Sequence, residues 1–105
     1  MKVIRPEKIS DLLVEVRKYL KSGQYRYTNH ASERLVERKI TRPEVTQVLE
    51  SGHNEKAKDI YDDNFSTWNY AIKGKTIDGR RLRIVVCFEN PNLLIITAID
   101  LDLRN

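Results

Sequence analysis

Residues 67–89 read TWNYAIKGKTIDGRRLRIVVCFE, two runs of alternating apolar and polar side chains around one Asp-Gly dipeptide. This pattern predicts a β-hairpin with strands at 67–75 and 81–88. The turn can close in two ways, and a shift of one residue turns every side chain to the other face. A two-residue loop would place the Trp and Tyr of the first strand beside the Arg side chains of the second, which mixes core with charge.

A three-residue loop with Gly79 in the left-handed conformation gives the other register. One face of the hairpin then becomes apolar and can receive the helices. The predicted pairs on this face are Ile72–Ile84, Tyr70–Val86 and Trp68–Phe88. Tyr70 is, with Tyr61 and His30, a candidate for acid–base chemistry or for stacking on bases, although this register points it into the core.

The same register predicts four cations on the opposite face, with Lys73 across from Arg83 and Lys75 across from Arg81. Like charges directly opposite each other destabilise a sheet by roughly a few tenths of a kcal/mol or more. Their presence therefore indicates a polyanionic partner. The alternative is that these side chains only solubilise an exposed face or protect an edge strand. Asp100 is predicted to neutralise one of the arginines.

Apolar side chains continue this charged face. Val85 and Cys87 follow on the second strand, and Leu94 and Ile96 are expected beside them on the next strand. An exposed apolar area of this kind marks a partner site. A protein partner or self-association is therefore a second interpretation of the face.

The remaining elements follow from periodicity and capping signals. Apolar spacing predicts helices at 6–22, 30–39 and 42–51, and period-two alternation predicts strands at 25–28, 56–61 and 93–101. The expected helix boundaries are Gly23, an Asn29 or His30 cap, a Thr41-to-Glu44 capping box and Gly52. Helices followed by strands predict an α+β fold, with two to three N-terminal helices packed on one face of a curved antiparallel sheet.

Composition limits the alternatives. A chain of 105 residues fits one domain, 1–105, and its net charge of +4 permits nucleic-acid binding without demanding it. A single cysteine excludes an intrachain disulfide and a zinc finger. No apolar run approaches the roughly 18 residues that span a bilayer, and no signal peptide is recognisable, so a cytoplasmic location without membrane contact is expected.

One helix carries a candidate base. His30, Arg34 and Arg38 recur at intervals of four and share one stripe of the second helix. The helix dipole at an N-terminus disfavours a charged histidine, which leaves a neutral imidazole able to accept a proton. The alternative is a capping histidine on a solvated helix with Glu–Arg pairs. His53, after Gly52, is expected to be a loop residue.

RNA cleavage without a metal requires a base for the 2′-hydroxyl, an acid for the departing 5′-oxygen and cations for the developing charge. The candidate catalytic residues are His30, Lys73, Arg81 and Arg83, and the candidate RNA-binding residues are Arg34, Arg38, Lys75 and Tyr61. Two histidines and no cysteine cluster predict no metal site, and no cofactor motif is present. Asp59, Asp62 and Asp63 are interpreted as turn residues.

The string Tyr27-Thr28-Asn29-His30-Ala31-x-x-Arg34-Leu35-x-x-Arg38-x-Ile40-Thr41, with the short helix and the strands after it, resembles an uncharacterised family of small bacterial domains. That family is similar to BrnT-type and MqsR-type toxins and, more distantly, to RelE-like ribonucleases. The resemblance covers roughly residues 9–101. It implies a RelE-like or barnase-like architecture, RNA bound on the sheet face away from the helices, and a neutralising antitoxin. Only Lys73, Arg81 and Arg83 match the toxins' site residues in kind.

The leading hypothesis is an RNA-binding, toxin-like protein that acts as a metal-independent endoribonuclease (an mRNA interferase) of a bacterial toxin–antitoxin system. The alternative is a non-catalytic regulatory module that binds protein or nucleic acid. The expected partners are RNA and a protein antitoxin, with a homodimer as a further option.

Overall fold

The computed structural model describes residues 5–102. Within them the helices are α1 (Leu12–Ser22), α2 (Asn29–Arg38) and α3 (Arg42–Ser51). The strands are β1 (Tyr25–Tyr27), β2 (His53–Asn54), β3 (Ile60–Asp62), β4 (Thr67–Lys75), β5 (Arg81–Glu89) and β6 (Asn92–Asp100). They form one curved sheet in the order β1-β6-β5-β4-β2, with β3 also paired to β4. The α+β class is confirmed, and β1, parallel to β6, makes the sheet mixed.

The β4–β5 hairpin has the predicted three-residue loop. The Gly79 amide donates to the Thr76 carbonyl, the Thr76 amide donates to the Arg80 carbonyl, both at 2.9 Å, and Gly79 has a φ of 79°. A residue with a side chain would be strained at this φ, so the loop needs a glycine here. The resulting loop length determines which face of the sheet each side chain of β4 and β5 occupies. Of the predicted pairs, Ile72–Ile84 and Tyr70–Val86 are confirmed.

The third predicted pair, Trp68–Phe88, is not formed. The β4–β5 ladder ends at Tyr70–Val86, and beyond it Trp68 pairs with Tyr61 of β3 on the other edge of β4. The hydrophobic pattern specified which face Trp68 occupies. It could not show that the first part of β4 pairs with β3, while the rest pairs with β5.

All three helices pack on the apolar face of the sheet. The largest fully buried side chains come from α1, α3 and strands β4 to β6 and are Leu49, Ile72, Leu82, Ile84, Leu93, Ile95, Val16, Val45, Val48 and Val86. Helix α2 adds Ala31 and Leu35 to the same core. The opposite face of the sheet, which we call the outer face, carries no helix in the part of the chain that the structure describes.

Helix α1 begins at Leu12 and not at the predicted residue 6. The preceding residues are tied to the sheet by long-range hydrogen bonds. The Trp68 indole donates to the Pro6 carbonyl (2.8 Å), and the Ile9 amide donates to the Tyr70 hydroxyl (3.1 Å). Tertiary contacts with two aromatic side chains thus replace the helical turn that local periodicity favours.

The predicted strand at 56–61 is formed only in its last part, within β3 (Ile60–Asp62), because a short 3₁₀ turn at Lys56–Lys58 interrupts the edge strand. Side chains repair the broken ladder. The side chain of Asp59 is fully buried, and its Oδ1 accepts from the Ala71 amide (2.9 Å) and from Asn54 Nδ2 (3.0 Å). Its Oδ2 lies 3.1 Å from Lys8 Nζ. Asp59, interpreted from the sequence as a turn residue, therefore holds the edge of the sheet together.

Asp59→Ala is expected to lower the free energy of unfolding by about 1–3 kcal/mol, because it leaves a buried backbone donor without an acceptor. Urea unfolding followed by circular dichroism measures this loss. Asp63→Ala, at an exposed position in the following turn, is the matched control and should change the free energy by less than about 0.5 kcal/mol. Equal stability of the two variants would contradict the proposed role of Asp59.

Candidate nucleic-acid interface

The outer face carries the four predicted cations in the predicted register. Lys73 is directly across from Arg83, and Lys75 is across from Arg81. Their side chains alternate along the strands with the buried Ile72, Leu82 and Ile84, so they all lie on the outer face. The cluster of four cations is therefore formed by β4 and β5, the two adjacent strands of the hairpin.

His53 joins this cluster, which corrects its assignment to a loop. It lies on the edge strand β2 with Lys73 as its Cα partner, and Lys73 is in turn the partner of Arg83. Directly opposite side chains in an antiparallel pair have Cβ atoms about 4.5–5.5 Å apart. Three basic side chains thus form one row across three strands.

A close contact between two glycines places β2 in this register. A Cβ atom on Gly52 would lie 2.5 Å from the Lys73 carbonyl oxygen and 2.6 Å from that of Val48. A Cβ atom on Gly74 would lie 3.0 Å from the Gly52 Cα. Only glycine at position 52 lets the chain leave α3 and pair with β4 immediately, which brings His53 opposite Lys73.

Glu55 brings a carboxylate into the same row. Its Oε1 accepts from Arg83 Nε at 2.6 Å, and its Oε2 accepts from Arg83 Nη2 at 3.2 Å. The Glu55 amide donates to the carbonyl of Ala71, a small residue between the edge strand and β5 that leaves room for the side chain to reach Arg83. The Arg83 hydrogen bond lowers the pKa of Glu55, against a smaller effect of burial, and Lys73 and His53 lower it further.

The second row is more exposed. Asp102 accepts from the Arg81 backbone amide (3.0 Å) and from its Nε (2.8 Å), with about half of both side chains open to solvent. Such an ion pair contributes little to stability. Lys73 and Lys75 form no ion pair with any residue in the range 5–102. Four cations against two carboxylates leave the cluster positively charged.

The prediction that Asp100 neutralises one of these arginines is wrong. Asp100 pairs with Leu82 in the β5–β6 ladder and so faces the helices. Its Oδ2 accepts from Nε of Arg80 at 2.8 Å. The carboxylates that pair with these arginines are Glu55, which is far away in sequence, and Asp102, which lies beyond the last strand.

The other predicted site residues on α2 lie on the helix side of the sheet. His30 is exposed, and Thr28 caps the helix instead of Asn29 or His30, since its hydroxyl accepts from the Ala31 amide (3.1 Å). Arg34 pairs with Glu37 at 2.6 Å, and Arg38 Nη1 donates to the Ala98 carbonyl of β6 at 2.6 Å. The structure does not bring these residues together with the four cations.

Tyr61 is also separated from the cluster. It is in register with Trp68 and faces the helix side, where its ring contacts that indole with centroids 5.4 Å apart. The Arg5 guanidinium lies 5.1 Å from its centroid. Tyr61 therefore belongs to an aromatic group around the N-terminal segment, while Tyr70 is buried as the register predicts.

A cleft of about 340 Å³ opens on the outer face where β4 separates from β5. Its lining includes Cys87, Leu94 and Ile96 of the predicted apolar area but not Val85, and Cys87 is buried instead of exposed. Asp62 and Glu89 lie at the same cleft. Burial raises the pKa of the Cys87 thiol, and these two carboxylates raise it further, which places them close to the sulfur.

Two further observations concern residues 5–102. They contain no group of three or more His, Cys, Asp or Glu side chains placed to hold a metal ion. None of their helices has the length and apolar character needed to cross a membrane.

The row formed by His53, Lys73 and Arg83, with Glu55 beside it, holds an imidazole, a carboxylate and cations on one solvent-facing surface. General acid–base chemistry on a phosphodiester uses these groups. Sequence inspection missed His53 and Glu55, because neither lies in a periodic element. The one available signal was the Gly52 stop, which is followed at once by a polar segment rich in His, Asn and Glu.

The chain was compared with protein families, curated proteins and solved structures. Residues 27–100 match a family described as "Domain of unknown function (DUF4258)". No curated protein and no solved structure matches the chain. The matched segment runs from β1 to the end of β6 and is more than half of the sequence, so the chain belongs to the DUF4258 family.

Proposed function

We propose that the outer face binds single-stranded RNA and cleaves it without a metal ion, as a toxin-type endoribonuclease. The observation that carries this proposal is the row of His53, Lys73 and Arg83 with Glu55 hydrogen-bonded to Arg83. His53 takes the acid–base role that the sequence had led us to expect for His30.

In the proposed reaction Glu55 accepts the proton of a ribose 2′-hydroxyl, and the 2′-oxygen attacks the adjacent phosphorus. The bond from phosphorus to the 5′-oxygen of the next nucleotide breaks, and the imidazolium of His53 gives its proton to that oxygen. The products are a 2′,3′-cyclic phosphate and a free 5′-hydroxyl. No water or redox partner is consumed in this step.

The cations have a separate role. A phosphorane gains negative charge on its non-bridging oxygens, and preorganised cations stabilise it. A guanidinium has five N–H donors, and Glu55 uses one on Nε and one on Nη2 of Arg83. The remaining donors on Arg83 and the Lys73 ammonium can bind the phosphate while Glu55 stays in place.

The electrostatics of Glu55 fit a base at neutral pH. Its lowered pKa keeps the carboxylate ionised, which is the form that accepts a proton. A lower pKa also makes a weaker base, so the proposal depends on position more than on basicity. Lys75 and Arg81, in the next row, would hold a neighbouring phosphate.

The direct test is incubation of the full chain with a defined RNA in EDTA, followed by analysis of the product ends. Cleavage that leaves 2′,3′-cyclic phosphates is expected. Lys73→Met should lower the rate by about 10-fold or more, whereas Lys21→Met, with the same charge change at an exposed position on α1, should not. Intact RNA, or equal rates for the two variants, would contradict the proposal.

Salt dependence gives an independent prediction for binding. For single-stranded nucleic acid, a plot of the logarithm of the affinity against the logarithm of the salt concentration has a negative slope. Each phosphate that a cation neutralises contributes about 0.7 to the size of this slope. The Lys73→Met, Lys75→Met double variant should therefore lose about 1.4 from that slope. Fluorescence anisotropy at several salt concentrations measures it with an uncleavable 2′-O-methyl oligomer. An unchanged slope would place the RNA elsewhere.

The toxin assignment rests on the resemblance of the Tyr27–Thr41 segment and on the basic strand positions. It predicts that expression of the chain arrests growth and that a co-expressed protein antitoxin relieves the arrest. The competing function is a non-catalytic binding module, which the apolar cleft beside the cations favours. Stable binding of RNA or protein without any cleavage would support that alternative.

A further inference from the structure

The outer face has two chemically different ends. Lys73, Arg83 and their neighbours form the basic end, and the cleft between β4 and β5 forms the other. The floor of the cleft is apolar, with Cys87, Leu94 and Ile96. A concave apolar site with a few convergent polar groups is the usual form of a small-ligand pocket. The cleft volume of about 340 Å³ is large enough for a single planar ring system.

The polar groups at the cleft have acceptors to spare. Asp62 uses Oδ1 to accept from the amides of Asn64 and Phe65 (2.9 and 3.2 Å), which leaves Oδ2 without a partner in residues 5–102. Glu89 and Asn69 also line the cleft, and their side chains form no hydrogen bond within the described part of the chain. The site therefore presents carboxylate acceptors beside an amide.

An aromatic side chain completes the site. Phe65, in the turn between β3 and β4, lines the cleft although the residue is 78% exposed. Bases of single-stranded RNA stack on aromatic side chains and use their Watson–Crick edges for hydrogen bonds. An exposed ring beside unpaired acceptors is the arrangement that such recognition requires.

We infer that this cleft binds an unpaired guanine of the RNA, with the base stacked on Phe65 and its N1–H and N2–H groups donating to the two carboxylate oxygens of Glu89. Guanine offers two adjacent donors that match the two oxygens of a carboxylate. Uracil offers one N–H flanked by two carbonyl oxygens, which a carboxylate repels. The inference rests on the proposed RNA-binding function and adds base specificity to it.

The geometry of β4 allows one strand of RNA to contact both ends. Asn69 and Lys73 are four residues apart on the same face, which is about 13 Å along a strand. A phosphate at Lys73 and Arg83 and a base at the cleft are then separated by a short stretch of backbone. The acidic cleft also repels phosphates, so the unequal charge of the outer face favours one orientation of the RNA.

The test compares 2′-O-methyl pentamers with guanine, inosine or uracil at the central position and uracil elsewhere. The guanine pentamer should bind about 10-fold more tightly than the uracil pentamer, and inosine, which lacks the N2 amino group, should fall between them. Glu89→Gln should abolish the preference for guanine without weakening the uracil pentamer. Glu50→Gln, an exposed carboxylate on α3, is the matched control and should keep the preference.

Phe65→Ala should weaken binding of the guanine pentamer by about 5-fold or more through loss of stacking, and Val36→Ala, at an equally exposed apolar position, should not. Equal affinity of the wild-type protein for the guanine and uracil pentamers would overturn the pocket but not RNA binding. Failure of every pentamer to bind would instead count against the proposed function. The inference would also be overturned if a peptide with basic and apolar side chains bound in the cleft and the protein showed no preference among the RNA bases.

Discussion

Glu55→Gln is expected to lower the rate of RNA cleavage by about 10²–10⁴-fold, the usual contribution of a positioned general base. Glutamine has nearly the same shape, and its carbonyl oxygen can still accept from Arg83, which lies 2.6 Å from Oε1 in the structure. An amide cannot take a proton from a 2′-hydroxyl. The substitution therefore separates the chemical role of the carboxylate from its role in positioning Arg83.

The measurement is single-turnover cleavage of a labelled RNA at saturating protein concentration, so that weaker binding does not enter the rate. Glu33→Gln, on the exposed surface of α2, is the matched control and should cleave at the wild-type rate. Anisotropy with an uncleavable oligomer should show that Glu55→Gln binds RNA at least as well as the wild type, because it loses a negative charge. A folded Glu55→Gln variant that cleaves at the wild-type rate would exclude Glu55 as the base.

The pH dependence of cleavage follows from the direction of the same pKa shift. Hydrogen bonding to Arg83 lowers the pKa of Glu55, so the carboxylate stays ionised below the ordinary range of a glutamate. Activity should persist as the pH falls through that ordinary range and disappear only at the lower folded-state pKa. In Arg83→Met the acid limb of the rate profile should move to higher pH.

Arg80→Met is expected to lower the free energy of unfolding by about 2–4 kcal/mol, because it leaves two partly buried carboxylates and two backbone carbonyls without their donor. Arg80 Nη2 donates to the Arg38 carbonyl (2.6 Å) and Nη1 to the Lys39 carbonyl (2.7 Å), where α2 ends. The same guanidinium pairs with Asp100 at 2.8 Å and Glu44 at 3.3 Å. One side chain thus joins the end of α2, the start of α3 and the end of β6.

Urea unfolding at neutral pH measures this loss. Arg34→Met is the control, because its ion pair with the exposed Glu37 should contribute no more than about 1 kcal/mol. If Arg80→Met and Arg34→Met were equally stable, the three elements would have to be held together by apolar packing alone.

The contacts of Arg80 also predict how stability depends on pH. Burial raises the pKa of Asp100 and of Glu44, but hydrogen bonds outweigh this effect, so both pKa values lie below their usual range. The hydrogen bond from Arg80 lowers the pKa of Asp100, and the hydrogen bonds from Thr41 contribute most to lowering that of Glu44. Groups with lowered folded-state pKa values stabilise the fold above their unfolded pKa, and this contribution is lost as pH falls through the folded value. The acid-induced loss of stability should therefore be smaller in Arg80→Met.

Local patterns predicted the parts of the fold that depend on parity and capping. The conformation of Gly79 and the alternation around it determined the face of Lys73 and Arg83. The Thr41 capping box and Gly52 gave both ends of α3. These signals succeed because each one involves a few residues close together in the chain.

The remaining features depend on contacts between distant residues. The Trp68 and Tyr70 side chains hold the N-terminal segment out of a helix, and Asp59 supports an interrupted edge strand. His53 and Glu55 reach the basic row only because Gly52 and Gly74 touch. No local periodicity records such contacts, and the sequence therefore indicated His30 on α2, and not His53 or Glu55, as the candidate acid–base residue.

Several residues of the segment from Tyr27 to Thr41 have structural roles. In this segment Ala31 and Leu35 are buried, Thr28 and Thr41 cap helices, and Arg38 donates to the Ala98 carbonyl of β6. Regular spacing on a helix predicted a shared stripe correctly, but spacing alone cannot distinguish a residue that supports the fold from one that contacts RNA.

The location of the RNA is the central claim, and amide chemical-shift mapping tests it most directly. Titration of the isotope-labelled chain with an uncleavable 2′-O-methyl RNA should shift the amides of His53, Glu55, Lys73 and Arg83 more than any others. Largest shifts on α2 around His30 and Arg34, with the outer face unchanged, would contradict the account.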